Sequence, residues 1–419
     1  MLVQKPPGGR INRIWESNNE GELKNMQDVV IVAAARTAIG DFGGAFRNML
    51  SHQLAVPVIQ EVLRRAGIAG DMVDEVILGN CVQRSDEPNV ARTAALVAGL
   101  PVQVTGMTIQ RQCSSAMQAI VSGYQQIATG DSEIVVAGGT ESMSSAPYVL
   151  KGARWGQRLQ HGEMTDALWE TLTDPIHRIL MGETAERLAD KYGITREEQD
   201  EIALRSHQNA CRAIEEGRFK EEIVPVAVPQ RKGPPKVVDR DEHPRPDVTM
   251  EKLAQLPPVF RKNGTVTAGN ASGLNDGAAA VLLMSASKAG ELGLKPMARI
   301  VSFARAGVEP DLMGYGPVPA IRKALKRAGL TLGDIQLIEL NEAFAAQYLA
   351  CEKLLELNRE ITNVNGSGIA LGHPVGCTGA RIVVTLLYEM ARRNLRLGLA
   401  SLCVGGGMGM AMILERESD

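Results

Sequence analysis

Residues 64–80, RRAGIAGDMVDEVILGN, return in altered form as residues 326–341, KRAGLTLGDIQLIELN. Each reads as a helix end, a glycine, and a short apolar strand that closes on asparagine, Asn80 in one copy and Asn341 in the other. Further along, CSSAMQAI from Cys113 lines up with CTGARIVV from Cys377, a shift of 264 residues, against 261 between the two asparagines. A shift this constant marks a duplicated α/β half. Two such halves are expected to pack about a pseudo-twofold axis. Their matching helix starts, at Cys113 and Cys377, would then converge.

Around the repeat, strands and helices alternate. Residues 29–33 and 76–78 read as strands, 52–66 and 91–98 as helices, and 133–137 as a strand stopping at Gly138-Gly139. This alternation implies a mostly parallel sheet covered on both faces. The expected division is 28–143 with 273–296 as one half and 297–419 as the other. Residues 144–272 are a loop domain inserted between them, rich in histidine, proline and charge. Residues 1–27, with Pro6-Pro7-Gly8-Gly9 and little apolar periodicity, read as a flexible N-terminal extension.

Composition narrows the function. A net charge of -3 with 4% aromatic residues gives no footing for nucleic acid. No apolar run is long enough to span a bilayer. Six cysteines are scattered without metal-ligand spacing. They fit a reducing, cytoplasmic compartment.

Three stretches are unlike ordinary core. In Gln110-Arg111-Gln112-Cys113-Ser114-Ser115 a cysteine stands near a helix start, where unpaired N–H groups lower a thiol's pKa. A cysteine beside an apolar helix is more often inert core. In 365–376 glycines crowd around His373, which makes a loop where backbone approaches something closely. In 401–409 Cys403 ends a strand before three glycines, either as a buried strand thiol or as an exposed one at the end where α/β sites form.

Read together, the motifs RQCSSAMQAI (111–120), GGTESMS (138–144), MGETAE (181–186), TAGNASGLNDGAAA (267–280), NEAFAAQ (341–347), GHPVGCTGAR (372–381) and CVGGGMG (403–409) resemble the thiolases. These are the acetyl-CoA acetyltransferases and 3-ketoacyl-CoA thiolases, and the resemblance covers residues 28–417. It implies a five-layer αβαβα fold. It also implies a reversible Claisen condensation of two acetyl-CoA to acetoacetyl-CoA plus CoA, or thiolysis of a 3-ketoacyl-CoA. By motif position Cys113 would be the acyl-accepting nucleophile and His373 its activator. Cys403 would be the acid/base at the α-carbon. Asn341 would hold the water of one oxyanion hole, and the N–H groups of Cys113 and Gly405 would form the other. Met181, Arg245, Ser272, Met313 and Phe344 would surround the coenzyme A and acyl pocket. No metal and no bound cofactor is implied. A homodimer or homotetramer is expected.

The chemistry agrees with these assignments. An acyl-enzyme divides the reaction into two easier steps. Both pass through oxyanions that fixed N–H donors stabilise. A carrier-protein ketoacyl synthase on the same fold would place a second histidine in the role given to Cys403 or Asn341. A non-catalytic acyl-CoA- or lipid-binding relative would lack one of the four reactive residues, and all are present. Two positions depart from the pattern. Leu180 stands where short-chain members often have histidine, which leaves chain-length preference open. Ala116 stands where glycine is common, a change of one methyl group.

Overall fold

The computed structural model describes residues 27–417. All but the last residue of the expected N-terminal extension lies outside the described residues. The longer strands are β1 (Val29–Thr37), β2 (Glu75–Gly79), β3 (Thr105–Ile109), β4 (Ile134–Ser142), β5 (Asn275–Ser285), β6 (Ala298–Gly307), β7 (Leu337–Leu340), β8 (Leu397–Val404) and β9 (Met408–Glu415). The main helices are α1 (Ser51–Ala66), α2 (Val90–Val97), α3 (Ser115–Thr129), α4 (Met181–Tyr192), α5 (Arg196–Glu215), α6 (Pro317–Ala328), α7 (Ala345–Leu355) and α8 (Val375–Arg392).

The strands run in the order β7-β8-β9-β6-β1-β5-β4-β2-β3. The two halves meet at β1 and β6, which pair over two residues only, Val30 with Arg299 and Ile31 with Ala298. Helices α3 and α8 pack on each other between the two half-sheets, with α8 touching β4 and β5 on one side and β7 and β8 on the other. Helices α1 and α2 cover the outer face of the first half, α6 and α7 that of the second. The result is five layers with the duplicated helices in the middle. Met117, Ile120, Ile382 and Val383 are wholly buried there, each contributing about 1.5–3 kcal/mol relative to exposure.

Two expectations are corrected. The sheet is mixed rather than mostly parallel, because the last strand of each half returns antiparallel: β5 beside β4, and β9 beside β8. The turn from β8 to β9 is Gly405-Gly406-Gly407, with φ of 81° and 79° at the last two, a left-handed pair that only glycine adopts cheaply. In the first half, the corresponding turn is replaced by everything from residue 143 to residue 274. Second, β4 does not stop at Gly138-Gly139 but runs through to Ser142. A Cβ on Gly139 would fall 2.1 Å from the Gly376 carbonyl oxygen and 2.5 Å from the Ala116 Cβ. A Cβ on Gly138 would strike the Ala279 carbonyl oxygen of β5 at 2.1 Å, while Gly139 lets both central helix starts rest on the strand. Gly379 serves the same contact, since its Cβ would lie 2.5 Å from the Met117 nitrogen.

The inserted segment is anchored from β1. The buried guanidinium of Arg36 bonds Glu222 at 2.6 Å and Asp241 at 2.7 and 3.0 Å. Removing one partner of such a buried network typically costs about 3–5 kcal/mol. Helices α4 and α5 then pack against α7 of the second half.

Candidate active site

Cys113 sits in the turn between β3 and α3. Gln112 just before it holds a left-handed φ of 45°. The turn is closed by Ser115, whose hydroxyl donates to the Gln112 carbonyl at 2.6 Å and accepts from the Arg111 N–H at 2.8 Å. Cys113 is half-buried and precedes the α3 N-cap, Ser114. The backbone N–H of Gly405 and its own N–H act on the sulfur in the sense that favours a thiolate. The expectation of a lowered pKa is overturned. Burial pushes the thiol up, the two N–H donors offset this in part, and the Glu141 carboxylate adds to the rise. Cys113 therefore rests as a protonated thiol, which would need a base to act as a nucleophile.

His373 is the expected candidate for that base. Its backbone N–H is held by Asn275 Oδ1 at 2.9 Å. Its Nδ1 lies 2.7 Å from the Thr378 hydroxyl, which itself donates to the Pro374 carbonyl at 2.9 Å. With that hydrogen committed, the Thr378 oxygen can only accept, so Nδ1 carries the proton. Nε2 is then the unprotonated nitrogen, and it is buried without a protein partner. Burial, aided by the positive charge of Arg381, pushes the imidazolium pKa down to about 3. His373 is thus a neutral base with its lone pair free.

This has a consequence for stability. The unfolded chain takes up a proton at this histidine near its usual pKa, whereas the folded chain does so only near 3. The contribution of His373 to stability is thus complete above the usual pKa and is lost as pH falls towards 3. Denaturant midpoints of the wild type and His373→Asn should therefore diverge on acidification from pH 7 to 4. The wild type should lose up to about 1.4 kcal/mol more per pH unit. Parallel curves would contradict a buried neutral imidazole.

Cys403 is the next-to-last residue of β8 and is fully buried, which corrects the reading of an exposed thiol. Burial pushes its pKa well up, and Cys113 and Cys351 add to the rise. The thiol therefore keeps its proton at neutral pH. Asn341 follows β7. Its Nδ2 is buried without a protein partner, while its Oδ1 lies 3.4 Å from Arg381 Nη2. A Cβ on Gly368 would fall 2.7 Å from that oxygen, which accounts for a glycine in the 365–376 loop.

The other expected residues fall into two groups. Met181, at the start of α4, places its sulfur 3.4 Å from where a Gly405 Cβ would lie. Phe344 stacks edge-on with Phe260, ring centres 6.0 Å apart. Met313 and Phe344 belong to the same buried apolar cluster as Cys403, and Met181 packs against it. Ser272 donates its N–H to the Ala343 carbonyl at 2.9 Å, beside Phe344. Arg245 lies farther out. It is exposed at a cavity of about 240 Å³ that is also lined by His207, His243, Lys252, Ala271 and Ile369. Ala271 and Ile369 connect that cavity to Ser272 and to the His373 loop.

The sequence did not single out Asn275, Thr378 or Glu141, although each lies inside a quoted motif. Their partners stand far away in the chain or depend on which nitrogen of His373 is protonated.

A duplicated αβα fold with Cys113 at the start of one central helix, His373 just before the other and Cys403 near the end of a strand defines a class. Residues 29–287 match the family model described as Thiolase, N-terminal domain, and residues 294–416 that described as Thiolase, C-terminal domain. The chain belongs to the thiolase family. It is 54% identical over 393 residues to an acetyl-CoA acetyltransferase of Pseudomonas aeruginosa, covering 94% of this chain and 100% of the relative. The crystal structure of a Bacillus anthracis acetyl-CoA acetyltransferase superposes with a TM-score of 0.93 at 62% identity, over 94% of this chain and all of that one. Human mitochondrial 3-ketoacyl-CoA thiolase in complex with CoA gives 0.90 at 44% identity, over 94% of this chain and 99% of the other.

Proposed function

We propose that the protein is an acetyl-CoA C-acetyltransferase working through an acyl-Cys113 intermediate. The observation that carries this reading is the buried, unpartnered Nε2 of neutral His373, in a fold that also holds a protonated Cys113 thiol on which the Gly405 N–H acts electrostatically. In the thiolytic direction, the Cys113 proton passes to His373 Nε2 and the sulfur attacks the ketone carbon of a 3-ketoacyl-CoA. The N–H groups of Cys113 and Gly405 stabilise the resulting oxyanion. The C2–C3 bond breaks, and the departing acetyl-CoA enolate takes its proton from Cys403. Its oxygen is held by the new Nε2–H of His373 and, through a water, by Asn341 Nδ2. An incoming CoA thiol returns a proton to Cys403 and attacks the acyl-Cys113 carbonyl. Cys113 leaves and recovers its proton from His373. Condensation is the same path reversed, with acetoacetyl-CoA formed from two acetyl-CoA.

For the substrate, Met181, Met313 and Phe344 would line the acyl and pantetheine end. Ser272 would stand along the groove, and Arg245 at its mouth would meet the nucleotide phosphates. No metal or resident cofactor enters any step. Leu180, in place of histidine, leaves chain length open and with it a second reading: a degradative 3-ketoacyl-CoA thiolase. A homodimer or homotetramer fits the open edge of β3 and the exposed apolar side chains of Trp155, Leu159 and Met164. Among the described residues no helix is long and apolar enough to cross a membrane. Free cysteines throughout the described residues fit a cytoplasmic setting.

Thiolysis of 3-ketoacyl-CoA substrates of increasing chain length, run beside condensation of acetyl-CoA, tests the reading. Activity confined to acetoacetyl-CoA is expected. Preference for longer chains would move the protein to the second reading, and no thiolysis at any length would sink both.

A further inference from the structure

The proposed mechanism uses groups from both halves of the duplication. Cys113 belongs to the first half, and His373 to the second. Something must hold the two in register, and Glu141 is placed to do so.

Glu141 lies on β4 and is fully buried. Its carboxylate accepts four hydrogen bonds. Oε1 takes Asn80 Nδ2 at 2.9 Å and the Val82 N–H at 3.2 Å. Oε2 takes the Cys81 N–H at 2.9 Å and the Gly376 N–H at 2.8 Å. Three donors come from the loop after β2, in the first half. The fourth comes from the first turn of α8, in the second half, three residues after His373. That loop in turn backs the nucleophile, because the Cys81 thiol donates to Gln112 Oε1 at 3.2 Å, and Gln112 is the left-handed residue preceding Cys113. Gly376 is shaped to the contact, since a Cβ there would fall 2.6 Å from Glu141 Oε2. A carboxylate at a helix start also suits the α8 dipole.

We propose that Glu141 is the positioning residue that sets Cys113 against His373. One carboxylate grips the loop behind the nucleophile and the helix that carries the base. This assignment rests on the roles given above to Cys113 and His373. A group that acts through others in this way is felt in the chemical step more than in substrate binding.

Glu141→Gln keeps the shape and one acceptor oxygen but turns the other into a donor facing N–H groups. Glu141→Ala removes the link. In the folded variants, kcat for thiolysis of acetoacetyl-CoA should fall about 10-fold for Gln and about 100-fold for Ala, with KM changed by less than about threefold. Alkylation of Cys113 by iodoacetamide, read by peptide mass spectrometry, needs no turnover and should slow in the same order, because losing the base outweighs the lower thiol pKa that removal of the Glu141 charge alone would bring. Alkylation of Cys211, half-buried on α5, should not change. If the Ala variant does not fold, Asn80→Ala, which removes one of the four donors, supplies the milder member of the series. Unchanged kcat and Cys113 alkylation in a folded Gln variant, or a raised KM with kcat held, would overturn the proposal. A wild type whose Cys113 alkylates but which never thiolyses would instead overturn the function, while the alkylation rates still decide the role of Glu141.

Discussion

Cys113→Ser should form no acyl-enzyme. Wild-type protein mixed with acetoacetyl-CoA should gain the mass of an acetyl group on Cys113, and the serine variant should gain nothing. Thiolysis should fall by at least about 10³-fold. The size of the effect follows from the site. The thiol starts protonated, and its proton must reach a histidine with a low pKa. A serine hydroxyl is far harder to deprotonate than a thiol, so the same weak base cannot activate it. The Gly405 N–H that acts on the sulfur would remain in place, which makes the variant a test of the nucleophile alone. An adduct persisting on another residue would remove Cys113 from its role.

Cys403→Ala should separate two steps that share one nucleophile. In acetyl transfer from acetyl-CoA to Cys113, Cys403 protonates only the departing CoA thiolate, a stable leaving group that water can protonate instead, so that adduct should still form. Cleavage of acetoacetyl-CoA requires a proton for the enolate, so the adduct from this substrate should be lost along with condensation. A loss of about 10²–10⁴-fold is usual for a missing acid/base. The buried thiol, with its pKa pushed well up, is a proton reservoir rather than a nucleophile. Loss of both adducts would show that Cys403 supports Cys113 instead. Loss of neither would remove it from the chemistry.

The parts of this protein legible in its sequence were those written locally. The repeat of 64–80 in 326–341 exposed the duplication, glycine-rich strings flanked His373 and Cys403, and a helix start marked Cys113. Strand direction was less legible. Nothing in residues 275–285 says that they return beside β4, because the whole inserted segment intervenes. Gly138 and Gly139 read as a strand end, since the backbones that they accommodate, Ala279 for the first and Gly376 for the second, lie far along the chain. The electrostatics were not legible at all. A helix start argued for an acidic thiol at Cys113, but burial outweighed two N–H donors, and burial is a property of the assembled layers. Glu141, Asn275 and Thr378 are in the same position: each sits in a visible motif, but its partner is set by packing or by a proton.

The three-glycine turn between β8 and β9 has one more consequence, for the order in which the halves assemble. The second half closes its last hairpin across three residues, a local event on a microsecond scale. The first half closes the equivalent pairing, β4 with β5, only after residues 143–274 have been made and gathered in. By the logarithmic law for chain closure, that longer loop costs on the order of 3 kcal/mol more entropy. The central strand β5 is therefore recruited late, and the inserted segment must be in place for β5 to reach β4. A substitution that loosens the insert, far from Cys113, would then be felt as slow or incomplete folding of the half that carries the nucleophile.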